Sequence, residues 1–398
     1  MASNPNLTRK TLILAMTEAT NGTDQIDLSS DFIGTGVSSS AFLAFDEINP
    51  LSVDFNVVDT APVRASLTPQ KNLIGRKLVN VRPKTMWMNS PGLDMVNLTD
   101  SDATNYPNSR TETYTNYNLS TRTGVSALSG ETSGHAPFFG CLLRACGLKQ
   151  VNAESASVVY TPRSSSFETA TVYVYADSLL HKVTGGVGTF TLSGTAGEGI
   201  ECQFDLQGNY AAPSTPAGGL PSVTYPADLK KLLAFAHNSI TSSDGVGYKG
   251  GSNNLRPIIR SFSFDAGVTV TERGDINSNE GLYGLFITDR APTLELVVEV
   301  ENSLTNSGTT PGFNPILDMA NAHTHNIVLE HGNTTDAQSS HDHERTVFTF
   351  PEAQLVDVQY GDDAGIRTYN LSYNLTSTTD DGEYTIAMGD PADSGDQT

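Results

Sequence analysis

The chain has 398 residues, enough to bury one large core or two ordinary ones, and with 37% hydrophobic and 17% charged residues it does not have the composition of a disordered chain. Its 44 acidic residues against 23 basic give a formal charge of −21. That balance argues against tight binding to nucleic-acid phosphates, which needs clustered Lys and Arg, and it favours solubility at high concentration.

In chain order, Thr11–Thr17 reads as a strand, followed by a polar loop at 21–40 and an apolar patch at Ala41–Phe45. Short β-type runs at Val53–Val58 and Val79–Val81 alternate with polar tracts. Residues 88–125 carry a stretch rich in Asn, Thr, Ser and Asp with no apolar period, so they read as an extended loop or projecting arm. Ser133–Leu148 differs from everything around it. Pro137 suits a first helical position, Gly147 suits the left-handed residue that ends a helix, and Arg144 is the sole charge between them. This spacing predicts one short helix that must be covered on most sides, laid across a sheet.

Strand signals dominate beyond the helix. Ala170–Ala176 sets Val172 and Val174 on one face and Thr171, Tyr173 and Tyr175 on the other. Gly185, Gly186 and Gly188 predict a turn between strands at Leu179–Thr184 and Thr189–Ser193. Ile200, Cys202, Phe204 and Leu206 alternate with Glu201, Gln203 and Asp205. Residues 209–257 read as a Pro/Gly/Ser-rich insertion or linker, with one helical turn at Leu229–Ala236. Alternation resumes at Leu294–Glu301, with further strands at Asn326–Glu330, Thr346–Phe350, Gln354–Tyr360 and Arg367–Thr376. The expected organisation is a β core built from 1–208 and 258–390, with an acidic tail at 391–398. Cys141, Cys146 and Cys202 fit small core positions better than a disulfide framework. No apolar run is long enough for a membrane helix, and no secretory leader is evident, so the chain is expected to be made in a cytoplasm.

Chemical motifs are sparse. There is no Gly-x-Ser-x-Gly, and the spaced glycines of Gly194–Gly199 lack the Lys-Ser/Thr of a phosphate loop. His323, His325, His331, His341 and His343 crowd one window. His323-x-His325 and His341-x-His343 would each place two imidazoles on one strand face, which suits zinc or nickel at a subunit boundary; the plain alternative is a polar hairpin tip. Glu295, Glu299 and Glu301, with Glu201 and Asp205 as weaker companions, are either an ordinary solvated sheet face or the wall of a channel shared between subunits.

The order of these features resembles the tail tube proteins of long-tailed, non-contractile phages. The similarity lies in the opening Arg9–Asp24, the Asp46-x-x-x-Pro50 mark, the helix block Ser133–Leu148, Val159-Tyr160-Thr161-Pro162, the paired strands after it, the strand Ile259–Gly267 and the turn Ile287–Pro292. The helix block is its most specific part. The resemblance implies a mainly β fold, an antiparallel β-sandwich with one flanking α-helix. Six subunits would join sheets into a ring with an inner β-barrel, and rings would stack into a tube. It implies a non-enzymatic virion protein without a cofactor, whose partners are copies of itself, the enclosed tape-measure protein, the tail terminator and distal tail proteins, and phage DNA passing without specific binding. A capsid decoration or fibre subunit would share the β-rich composition without calling for the buried helix; a tube of a related phage-like particle and a metal-dependent enzyme built on the histidines are further alternatives.

Overall fold

The computed structural model describes residues 11–18, 20–24, 41–42, 51–59, 71–87, 139–153, 157–177, 179–215, 238–242, 257–278, 281–300, 314–332 and 345–388. In chain order the strands begin with β1 (Thr11–Thr17), β2 (Ala41–Phe42), β3 (Leu51–Val58), β4 (Leu73–Val81) and β5 (Lys84–Met86), then helix α1 (Gly140–Ala145). There follow β6 (Leu148–Ala153), β7 (Ser157–Pro162), β8 (Ala170–Ala176), β9 (Leu179–Thr195), β10 (Ile200–Tyr210) and β11 (Asn238–Ser242). The last third holds β12 (Ile259–Asp265), β13 (Val268–Gly274), β14 (Leu282–Arg290), β15 (Thr293–Glu299), helix α2 (Pro315–Ala320), β16 (Thr324–Gly332), β17 (Arg345–Asp363), β18 (Ile366–Thr376) and β19 (Thr385–Met388). The chain is mainly β and its pairings are antiparallel. The expected arm at 88–125, the helical turn at Leu229–Ala236, Pro137 and the acidic tail lie outside the described residues.

Two long strands organise the sheet. β9 pairs with β10 along most of its length, while its other edge passes from β8 to β12. The glycines expected to form a hairpin turn instead lie inside this single 17-residue strand. The physical reason is close approach: a Cβ on Gly186 would press on the Ala170 carbonyl oxygen and one on Gly188 would overlap that of Asp205. Gly185 takes φ +64° and marks the irregularity where the strand changes partners. β17 does the same at Pro351. On one edge β19 pairs before it and β18 after it, while on the other β16 pairs on both sides of it through a register shift between His325 and Ile327. Proline has no N–H to lose at that handover.

These handovers fold the sheet over itself. The inward faces of β12 and β18 meet the first half of β17 and its neighbours, with Phe264 rings 5.6 Å from Phe350 and 5.0 Å from Tyr384. Trp87 lies 4.8 Å from Phe139 and 5.3 Å from Phe348, and its indole N–H donates to Thr346 Oγ1 at 3.0 Å. Leu142, Leu143 and Ala145 of α1 are wholly buried beside β1, β6, β8 and β9. Gly147, at φ +82°, stops the helix as its position predicted. Strand β8 is buried on both faces, so its sequence alternation does not separate core from solvent. α2 was not expected, although Asn314 caps it by accepting from Leu317 N at 3.2 Å and Pro315 opens it.

Buried ions fasten the folded-over layers. Arg144 of α1, 3% exposed, meets Glu168 at 2.5 Å, and Glu168 also holds Arg163 at 2.6 Å. Arg290 donates to the Arg163 carbonyl at 2.9 Å and pairs with Asp381 at 3.1 Å and Glu383 at 2.7 Å. The helix block, the segment after Val159–Pro162 and the Ile287–Pro292 turn therefore converge on one network. Glu18 forms a second fastening. Its carboxylate accepts from Gly22 N (2.7 Å), Thr169 Oγ1 (2.6 Å), Thr171 Oγ1 (2.8 Å) and Gly185 N (2.7 Å). Removing a buried acceptor leaves its donors unsatisfied. Glu18→Ala is expected to lower unfolding free energy by about 3 kcal/mol, read as a lower midpoint in urea at pH 7, whereas Glu18→Gln recovers part of that loss.

Candidate functional site: a polar sheet face and an exposed ribbon

Alternation on β10 and β15 follows the sequence. Ile200, Cys202, Phe204, Leu206, Leu294, Leu296 and Val298 are buried, and their intervening residues point away from the core. Register then decides what those outward residues can do together. Glu201 lies opposite Ser193, Ser193 opposite Ser263, Ser263 opposite Glu295, Glu295 opposite Ser372 and Ser372 opposite Asp357. One row thus runs across β10, β9, β12, β15, β18 and β17, and Glu201 and Glu295 stand three strands apart, about 14 Å. Asp205 and Glu299 fall on the same face, each four residues along its strand from Glu201 and Glu295. Glu301 lies outside the described residues.

The charges on this face are mostly paired. Glu201 meets Lys84 at 2.8 Å, Asp205 meets Arg82 at 3.1 Å, and Glu299 meets Arg260 at 2.6 Å, with Asp363 3.7 Å from the same guanidinium. Glu295 is the exposed carboxylate with neither ion pair nor side-chain hydrogen bond among the described residues. Sequence reading found the acids but not their cations, because Arg82 and Lys84 come opposite β10 only through the β4–β5 register. A shallow cleft of about 540 Å³ at the β9–β10 turn adjoins Glu201. Met86 and Phe262 form its apolar side, and Glu198 and Glu201 its charged one.

At one edge of this sheet, β3 and β4 form a two-stranded ribbon of a different character. Val57 lies opposite Ile74 and Val58 opposite Leu73, so the two pairs point to opposite faces. All four are between 44% and 62% exposed. A two-stranded ribbon is marginal alone in water, and one apolar on both faces lacks a covering layer on each. At its base Arg76 binds Glu272 of β13 and lies 3.7 Å from Asp54.

The histidine window divides. His323 precedes β16 and is half-buried, while His325 and His331 lie on β16 with their side chains in the core. His341 and His343 lie outside the described residues, and among the described residues no three His, Cys, Asp or Glu are grouped as a metal would require. His325 Nε2 is 3.9 Å from Asp318 Oδ2, and its ring meets Tyr373 edge-on at 5.9 Å. Burial pushes the His331 imidazole from 6.5 down to about 4. The folded state therefore binds fewer protons than the unfolded chain between those values. Its contribution is intact above about pH 6.5 and is withdrawn as pH falls toward 4, by about 3 kcal/mol in all. His331→Phe is expected to flatten the fall in urea midpoint between pH 7 and 4.5; an unchanged slope would assign the acid sensitivity elsewhere.

The chain matches no protein-family model, and no curated protein is similar to it in sequence.

Proposed function

We propose that this chain is a structural virion protein that polymerises as stacked rings, hexameric by its resemblance to phage tail tube proteins, into the tube of a long-tailed phage. The β3–β4 ribbon is the observation that carries this reading. Aliphatic side chains exposed on both faces of the ribbon are explained by burial against further copies, and its strand β3 has no second strand partner among the described residues. In this reading the folded-over sheet is the family's β-sandwich and α1 its flanking helix, and the sheets of neighbouring copies complete an inner barrel.

The polar face suits the lumen of such a barrel. Ser193, Ser263, Ser372 and Glu295 offer hydration and no cluster of unpaired cations, so DNA passes without being held. The tape-measure protein would occupy the same bore before ejection, and the tail terminator and distal tail proteins would close the two ends. The chain acts here through its geometry, not as an enzyme.

Negative-stain microscopy of the purified protein at rising concentration tests the reading. Hollow cylinders built of stacked rings are the expected outcome, and Val58→Asp with Ile74→Asp is expected to stop them while leaving the unfolding free energy from urea titration within about 0.5 kcal/mol of the parent. Discrete monomers at all concentrations, with no cylinder in virions containing the chain, would overturn it.

A further inference from the structure

Asn21-Gly22 is the sole Asn-Gly step in the 398 residues. Glycine after asparagine leaves the following backbone nitrogen unhindered, so that nitrogen can attack the asparagine side chain. The attack forms a bond from Gly22 N to Asn21 Cγ and breaks Cγ–Nδ2, and the side-chain nitrogen leaves as ammonia with the Gly22 proton. Water then opens the cyclic imide at either carbonyl, leaving aspartate or isoaspartate at position 21. The chemistry needs a single chain, water and no other reagent.

The fold holds this pair against that reaction. Thr23 N donates to the Thr20 carbonyl at 3.0 Å, and Gly22 takes φ +77° after an Asn21 of negative φ, the signature of a type II turn. In such a turn ψ of the first central residue is about +120°, which carries the next nitrogen away from that residue's own side chain. Closing the ring therefore needs a large rotation about the Asn21 Cα–C bond. Gly22 itself opposes it. Its N–H donates to Glu18 Oε2 at 2.7 Å, and Glu18 is fixed in turn by Thr169 Oγ1, Thr171 Oγ1 and Gly185 N. The surroundings are tight: a Cβ on Gly185 would lie 3.1 Å from Asn21 Oδ1 and 3.2 Å from Asn209 Nδ2. Bringing the nitrogen onto Asn21 Cγ breaks the Glu18 hydrogen bond and the turn together.

We infer that Asn21 is a self-modification site kept latent by Glu18, a positioning residue that acts through the Gly22 N–H. The side-chain amide survives while the end of β1 is seated and is lost when that end opens. Asn21 is exposed, so water reaches the imide as soon as it forms. The product cannot be reseated as before. Isoaspartate adds a methylene to the backbone between Asn21 and Gly22, and aspartate adds a negative charge to the turn that the Glu18 carboxylate holds. Either change weakens the hold on Gly185, where β9 changes partners. A transient opening at the end of β1 is thereby recorded as a lasting covalent change.

Peptide mass spectrometry and enzymatic methylation of isoaspartate follow the Asn21 amide in the full chain, kept in mildly alkaline buffer. The amide is expected to persist in the parent and to be lost fastest in the chain unfolded by urea. Glu18→Ala is expected to lose it about tenfold faster than the folded parent, because removing a hydrogen bond to a charged acceptor raises the open population by that order. Glu18→Gln keeps an acceptor, so its rate is expected to fall between the two, and it serves if Glu18→Ala does not fold. Phe264→Leu controls for general destabilisation. Phe264 packs on Phe350 and Tyr384, and its variant is expected to lower the urea midpoint while leaving the Asn21 rate near that of the parent. Equal acceleration by Phe264→Leu and Glu18→Ala would assign the protection to the fold as a whole and overturn the inference. So would a folded parent that reacts as fast as the unfolded chain, or an unfolded chain that keeps the amide. A Glu18→Ala protein reacting no faster than the parent, or Glu18→Gln where only that variant folds, would overturn it as well.

Discussion

Everything in this molecule depends on how closely the backbone of β9 passes its neighbours at Gly185–Gly188. That segment lies against the carbonyls of Ala170 and Asp205 with no room for a side chain, and Glu18 holds the Gly185 N–H from the end of β1. One strand can then pair with β8 at its start, with β12 at its end and with β10 from Val183 to Gly194. Without that passage the β8–β1 pair and the β12–β15–β18 row would belong to different sheets. Pro351 gives β17 an equivalent handover by another route, removing a donor instead of a side chain. The aromatic core from Trp87 to Tyr384 fills the space the two bends enclose.

Legibility in the sequence followed the range of the interaction concerned. β1 and β8 were found to the residue, because alternation and bounding polar residues are local. The Gly147 stop and the inward set on β10 were equally plain. The β9 glycines were misread because a glycine required by tight backbone contact and one required by a turn look identical until the partner strand is known. β17 was divided into two strands at Pro351 for the same reason. β11, inside a segment read as an insertion or linker, owes its strand to pairing with β16 and carries little signal of its own. α2 had an Asn-Pro start that could have been noticed, but its apolar residues sit on the wrong side for a helix sought by its buried stripe.

The candidate site shows a similar division. Glu295, Glu299 and Glu301, with Glu201 and Asp205 as weaker companions, read either as a solvated sheet face or as a channel wall; register places Glu201, Asp205, Glu295 and Glu299 on one face. Their pairing with Lys84, Arg82 and Arg260 changes its physics. A face of neutralised pairs among serines, threonines and asparagines repels phosphate less by field than a net charge of −21 suggests. What it offers instead is dense hydration with no cation free to form a bidentate grip. If this face lines a bore as proposed above, that arrangement would serve passage better than bare carboxylates, which would recruit counterions and basic proteins.

The same distinction explains why an acid lies inside α2 and leucine outside. Asp318 is buried beside His325, so its carboxylate gives up solvation that contacts inside the fold must replace. Exposing Leu317 forgoes a further hydrophobic contribution. In the self-assembly proposed above, covering Leu317 would recover that contribution, so the exposed side of α2 costs the single chain more than it would cost an assembled one.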